Sequence, residues 1–533
     1  MTLLFLALRD VLLSHQRFPS SWNSPNVQVR RLGSTGQSGS LIVHLALPPS
    51  TSERGCNVQC HGIHCLNDDI LLGVFNCYRL DDEYHWNFRL LWCKLSHVCQ
   101  RWRHLIYECA FHLGIHINCR NGSPMLDTLD HLPPLPLFVR YRDRSIPRLK
   151  ERDELGICHA LRLRGRVRHL ELALPPSILH KAVVLMDGHF PILEHLSLSF
   201  ATTIENGLPL TLSKNFLAPN LRHLDLPSIS PPKRLRVLTS TVSLVKLVLS
   251  NIQTSSYFRP RLLVARLSSL PQLEELFIGF SIPIPRPSAE WELLGEQGTP
   301  VTLPNLNTLT FQGVSAYLES LVAQIRAPLL GCLLVTLFNQ IAFTLPHLSH
   351  FISITERFKV PNAQVSFSPD EVSITAIRHI LPPSPIRFRL RVKCKQLDWQ
   401  IDCAAQICST LIPVLSQVER LTLEFHGKMT PTEWQNRDID GTMWHDLLIS
   451  FTGLKELHIA DALLKELCRA LELGEVASDP EFLPDLRYIG AADNLFTSFI
   501  DARRTVGRPV WFSPRQPFLL WPSSDSIKAS TTT

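Results

Sequence analysis

Leu193-Glu194-His195-Leu196-Ser197-Leu198 is the stretch on which the reading of this 533-residue chain turns. Its leucines are spaced three apart and then two. In an extended strand, side chains two apart share a face, so Leu196 and Leu198 turn inward while Ser197 turns the other way. Leu193 anchors the chain as it enters the strand. The same spacing returns at Leu221, Leu224 and Leu226, at Leu244, Leu247 and Leu249, at Leu273, Leu276 and Ile278, and at Leu306, Leu309 and Phe311. Later copies are Val418, Leu421 and Leu423, then Leu454, Leu457 and Ile459. Val167, Leu170 and Leu172 form a weaker copy before the series, and Leu486 with Ile489 another near its end.

Adjacent clear copies start between 23 residues (Leu221 to Leu244) and 36 residues (Val418 to Leu454) apart. That range overlaps and exceeds the roughly 20–29 residues of leucine-rich repeats. One such coil cannot cover its own apolar face, whereas a stack of them can. The expected fold class is therefore α/β: an irregular leucine-rich solenoid over 155–513, with parallel strands on one side and helices or turns on the outer face. Strand positions between the inward leucines would line its concave surface, among them His195, Ser197, Arg222, His223, Asp225, Glu275 and Phe277. Such mixed chemistry suits protein recognition. The asparagine usual after the last leucine is mostly missing, with Ala201, Ser228 and Ile229 in that neighbourhood, which predicts an irregular curve. Between 345 and 415 the rhythm fades. There Ile386, Phe388, Leu390 and Val392 alternate with arginines and a lysine, as in a half-buried strand, and this reads as a degenerate stretch of the same solenoid.

Composition agrees with a large folded chain. Hydrophobic residues make up 45% and charged residues 19%, a globular balance. Prolines number 39 against 23 glycines, which suits short elements divided by rigid turns. The net charge of +6 is slight for this length. Arg162, Arg164, Arg166 and Arg168 alternate as if along one strand, but Glu151, Asp153 and Glu154 dilute the field, so a solvated edge is expected and no nucleic acid. The 14 cysteines scatter without a disulfide-scaffold spacing, which points to a reducing interior, cytoplasmic or nuclear. No apolar run is long enough for a membrane span, and Met1 to Leu8 lacks the basic flank of a signal peptide.

Upstream of the repeats the period becomes helical. Leu66, Ile70, Leu71, Val74, Phe75 and Tyr78 draw one apolar stripe, with Asn67 as N-cap and Asp68 and Asp69 on the first turn. After a polar break from Arg79 to Asn87, Leu91, Leu95, Val98, Trp102 and Leu105 draw a second. A helical module over 61–118 is expected, between a Gly/Ser/Pro-rich flexible leader at 1–60 and a linker at 119–154 that carries Pro133, Pro134 and Pro136. A disordered tail is expected at 514–533.

These residues carry a family likeness. Leu66 to Leu71, Val74-Phe75, Trp92, Leu95, Val98-Cys99 and Arg101-Trp102-Arg103 resemble an F-box of the type found in mushroom-forming fungi. Tyr78 to Asp81 and the downstream run Leu132 to Pro136 are shared with that version. The likeness covers about 45 residues well and the leucine-rich remainder only in style. Asn67 stands where the family usually has proline. The resemblance implies a non-enzymatic, substrate-recruiting adaptor of a Skp/cullin/F-box ubiquitin ligase, acting in ubiquitin-dependent degradation. Leu66, Ile70, Leu71, Phe75, Leu95, Val98 and Trp102 would then face the Skp-type adaptor, which in turn binds a cullin, and the leucine-rich region would bind a substrate protein. The alternative is a leucine-rich scaffold whose helical module serves as an N-terminal cap.

Other chemistry finds little support. Cys56, Cys60, His61, His64 and Cys65 are zinc-ligand types but lack a second pair at finger spacing, so no metal is expected. No nucleophile elbow or zincin signature appears, and no catalytic residue or cofactor is assigned. Glu424 and His426 read as a surface pair.

Overall fold

The computed structural model describes residues 66–80, 95–122 except 111, and 129–514 apart from 130–133, 144–148, 202–209, 214, 230–237, 239, 254–255, 284–299, 378–386, 428–440, 477–481 and 494. The expected leader, the Cys56–Cys65 cluster, Leu91, Trp92 and the tail beyond Pro514 lie outside the described residues. The chain divides into two compact units, 1–116 and 117–533.

In the first unit, helices run over Asp68–Leu80 and Gln100–Glu108. Asn67 caps the first one: the backbone N–H of Ile70 donates to its Oδ1 at 2.9 Å. Proline in its place would have only a ring to offer; asparagine satisfies one of the orphan donors. Arg101 clasps the start of that helix from the second one. Its Nη2 donates to the Leu66 carbonyl and to Asp68 Oδ1, both at 2.6 Å. The two apolar stripes meet where the Phe75 and Trp102 rings stand edge to face, centroids 4.9 Å apart.

The second unit is mixed α/β, built, among the described residues, on a mostly parallel sheet of 16 strands. In chain order the strands are β1 Ile117–Arg120, β2 Leu137–Arg142, β3 Val167–Leu174, β4 His195–Phe200, β5 His223–Asp225, β6 Lys246–Ile252, β7 Glu275–Phe280, β8 Val301–Thr302, β9 Thr308–Gly313, β10 Ile325–Arg326, β11 Cys332–Phe338, β12 Asn362–Ser368, β13 Glu371–Ile377, β14 Phe388–Lys393, β15 Arg420–Phe425, β16 Glu456–Ile459, β17 Tyr488–Ala491 and β18 Trp511–Pro514. The short β8 and β10 pair apart from the rest. Each remaining strand up to β11 lies beside its predecessor and parallel to it, with a shift of register only after Leu137 in β2 and after Leu249 in β6.

The leucine spacing explains that register. Leu170, Leu196, Leu224, Leu247, Leu276 and Leu309 are partners across successive strands. All of them, and the anchors Leu193, Leu221, Leu244, Leu273 and Leu306, are no more than 1% exposed. Each buried leucine is worth roughly 1.5–3 kcal/mol over an exposed one, and a slip of one residue would turn the whole row to water. Helices cross between strands, and those at Pro176–Leu185, Pro260–Leu267 and Pro346–Ser353 begin with proline. Its missing N–H costs nothing at that position, which accounts for part of the high proline content.

The structure departs from the sequence reading in three places. Residues 119–154, expected as a linker, contain the second half of β1, all of β2 and the first turn of the helix Glu151–Arg162. Asp153 ties them together, accepting from the Gly122 and Lys150 amides at 2.8 Å each. The four alternating arginines do not share a strand: Arg162 ends that helix, Arg164 and Arg166 form a 3-10 turn, and Arg168 alone enters β3. Third, residues 345–415 are no faded copy of the parallel pattern. β12 and β13 form an antiparallel hairpin, β14 returns antiparallel to β13, and the spatial order becomes β11-β14-β13-β12-β15. The turn of Pro369 and Asp370 is too short for a parallel crossover, which needs a dozen residues or more, so the chain must reverse. Among the described residues no helix is long and apolar enough to cross a membrane.

Candidate functional site

Two surfaces carry the expected residues. In the helical unit, Leu71, Phe75, Leu95 and Trp102 are buried, none more than 5% exposed. Leu66 and Val98 are half-buried, and Ile70 is 47% exposed. Phe75 and Trp102 meet each other directly across the two stripes. The buried four form a framework, while Ile70, Leu66 and Val98 are the ones within reach of another molecule. Gly73 has open space around its Cβ position, so the first helix keeps a bare strip beside Ile70.

In the sheet unit, side chains alternate between a buried set and a half-exposed set. The half-exposed set forms ladders across one open face. One ladder runs His169, His195, His223, Lys246, Glu275 and Thr308. The next runs Arg140, Glu171, Ser197, Asp225, Val248, Phe277, Thr310, Leu334 and Arg389, and ends against the buried Thr375. His195, Ser197, His223, Asp225, Glu275 and Phe277 therefore share the face that the spacing assigns to them. Arg222 falls just before β5.

At the β2–β5 end the charges are matched. Arg140 Nε lies 2.7 Å from Glu171 Oε2, and Arg142 donates to Oε1. Burial pushes the Glu171 carboxyl up, but nearby His169 and the hydrogen bonds and charges of Arg142 and Arg140 bring it down to about 2. The His169 and His195 rings stack at 4.1 Å, and His195 Nδ1 is 3.3 Å from His223 Nδ1. Burial, then the neighbouring imidazoles, lower His195 to about 4, so it is neutral near pH 7. Asp225 accepts from Ser197 Oγ at 3.2 Å, and burial raises its carboxyl.

Farther along, Lys246 pairs with Glu275 at 2.6 Å and Arg420 with Glu456. His426 Nε2 lies 2.9 Å from Glu424 Oε2 and is raised by that hydrogen bond, the surface pair that the sequence indicates. Arg389 and Arg391, on β14, are two face residues that sequence reasoning passed over. The alternating run around Leu390 carried the signal, but only the fold reveals which strands flank it. Among the described residues no group of three or more histidines, cysteines or acids is placed to hold a metal ion.

Compared with known proteins, the chain matches no protein-family model and no curated protein.

Proposed function

We propose that this chain is a substrate-recruiting adaptor of a Skp/cullin/F-box ubiquitin ligase. The helical unit docks a Skp-type adaptor and, through it, a cullin. The second unit acts as a leucine-rich solenoid whose open face holds a substrate protein. The chain works by binding, without chemistry of its own. One observation carries this reading beyond the motif. Phe75 and Trp102 pack on each other inside the helical unit, while Ile70 stays exposed on the capped first turn, an apolar point open to a partner. The burial of Leu71, Phe75, Leu95 and Trp102 favours a second reading, a scaffold in which the same helices serve as a terminal cap.

Co-purification of the full chain with a Skp-type adaptor separates the two. Ile70→Asp is the informative variant, because aspartate in the first helical turn suits the helix dipole and leaves the buried stripes intact. Wild type should retain the adaptor and Ile70→Asp should lose at least tenfold of it, with an unchanged circular dichroism spectrum. Trp102→Ala should lose the adaptor together with the fold of the unit, since emptying such a site costs about 3–5 kcal/mol. Absence of the adaptor from wild-type preparations would decide for the scaffold.

A further inference from the structure

We propose that the open sheet face around Arg389 binds an acidic, extended segment of a partner protein, with one carboxylate seated on Arg389 and Arg391 and an apolar side chain resting on Phe277. The inference rests on the reading of this face as the substrate surface and adds the chemistry of what it takes.

The cations of the face differ in what neutralises them. Arg140 and Arg142 share Glu171, Lys246 meets Glu275, Arg391 meets Glu371 at 3.5 Å, and Arg420 meets Glu456. Arg389 has no such partner among the described residues. Its Nε donates to the neutral hydroxyl of Thr375 at 3.2 Å. Burial, then the like charge of Arg391, pull its guanidinium down to about 10, against a weaker pull from Glu371. The positive field extends past it. Arg357 and Arg387 each bring a guanidinium nitrogen close, within 3.4 and 3.6 Å respectively of where a Cβ on Gly331 would stand, and Arg387 and Arg389 both act on the Cys332 thiol. A guanidinium held half out of water beside other cations is a site in want of an anion, and its planar fork fits a carboxylate with two parallel hydrogen bonds. Glu371 stands close by, and its charge favours a singly charged group over a phosphate dianion.

The surroundings set the length of the ligand. From Arg389 the ladder leads through Leu334 and Thr310 to Phe277, three strands away. No charged side chain interrupts that path. Gly279 leaves room for the Phe277 ring, which lies where a Cβ would stand, 2.8 Å from Cε1. The ring thus lies along its own strand as a flat apolar platform. Strands about 4.8 Å apart put the platform about 14 Å from Arg389, the span of roughly four residues of extended chain. The ligand is therefore an acidic residue and an apolar residue four positions apart.

The test uses the immobilised full chain and a decapeptide library with one glutamate fixed and the other positions varied. Leucine, isoleucine, methionine or phenylalanine should be enriched four positions from the glutamate. A fluorescein-labelled probe, Gly-Ser-Glu-Ser-Gly-Ser-Leu-Ser-Gly, should bind at least tenfold more weakly when its glutamate becomes glutamine. Arg389→Met should abolish that preference, and Arg142→Met should leave it unchanged. Arg389→Met should melt no lower than wild type, since it removes an unneutralised cation. If it does melt lower, Arg389→Lys decides, and a glutamate preference undiminished by the loss of the fork overturns the proposal. Equal binding of the glutamate and glutamine probes also overturns it. A phosphoserine probe binding more than tenfold tighter than glutamate would assign the face to phosphorylated partners instead. Adaptor co-purification from the same preparations keeps the two ideas apart: lost selectivity with the adaptor retained counts against the arginine site alone, and the reverse counts against the ligase reading alone.

Discussion

β2 to β7 and β12 to β14 build one sheet by different rules. In the first stretch each strand lies beside its predecessor, and a cation on the open face finds a carboxylate on its own or the next strand, as Arg140 and Arg142 find Glu171 and Lys246 finds Glu275. In the second the chain skips two places, folds back on itself and fills the gap with β14. That strand brings Arg389 between Leu334 and Thr375, neighbours with no charge to offer. Regular stacking lets a repeat match its charges against the copy next to it in the chain. The inserted strand matches Arg391 to Glu371 on β13 but leaves Arg389 on a neutral hydroxyl.

The largest test of this contrast is a pair of cavities. Leu198→Ala in β4 and Leu390→Ala in β14 remove fully buried side chains, and each should cost about 2–5 kcal/mol in urea unfolding. Hydrogen exchange should tell them apart. Leu198→Ala should loosen β4 and its flanking strands, whereas Leu390→Ala should also expose β11 and β15, which the insertion joins. Exchange confined to β14 would break the comparison.

A smaller effect belongs to the matched end. The Glu171 carboxyl sits below its ordinary 4.5, so its stabilisation is complete above that pH and fades as pH falls toward about 2. The shift corresponds to about 3 kcal/mol for this largely covered group. Glu171→Gln should lose that much at pH 7 and show a flatter acid limb in the pH dependence of unfolding.

Smaller still is the histidine ladder. His195 holds its proton less well folded than unfolded, so stability is intact above its ordinary 6.5 and declines as pH drops toward about 4, by about 2 kcal/mol after allowance for solvent. His169, His223, Glu171 and Arg140 face it, and Glu171 titrates below this window. His195→Gln should reduce, though not abolish, the fall of melting temperature between pH 6.5 and 4, because burial lowers His223 as well. An unchanged slope would place the proton uptake elsewhere.

Much of the fold was legible because its signals are local. Leu196 and Leu198 two apart, with Leu193 ahead of them, state which side of a strand is buried, and repetition states that strands must stack. Asn67 before Asp68 and Asp69 announces a helix start. β1 and β2 were hidden by prolines that resemble a linker, and the hairpin by the absence of leucine anchors, although Val365, Phe367, Val372 and Ile374 alternate on either side of Pro369-Asp370 as hairpin strands do. Of the seven expected interface residues, the stripe pattern could show that they share faces but not that Phe75 and Trp102 would spend theirs on each other.

From the amino acids alone came the period, the buried face of each strand and the capped helix, since each depends on neighbours a few positions away. Only the tertiary structure decided the order β11-β14-β13-β12-β15 and hence the setting of Arg389. Which strand lies beside which is a contest among distant segments for the same hydrogen-bonding edge, and charge is matched or left unmatched only once that contest is over.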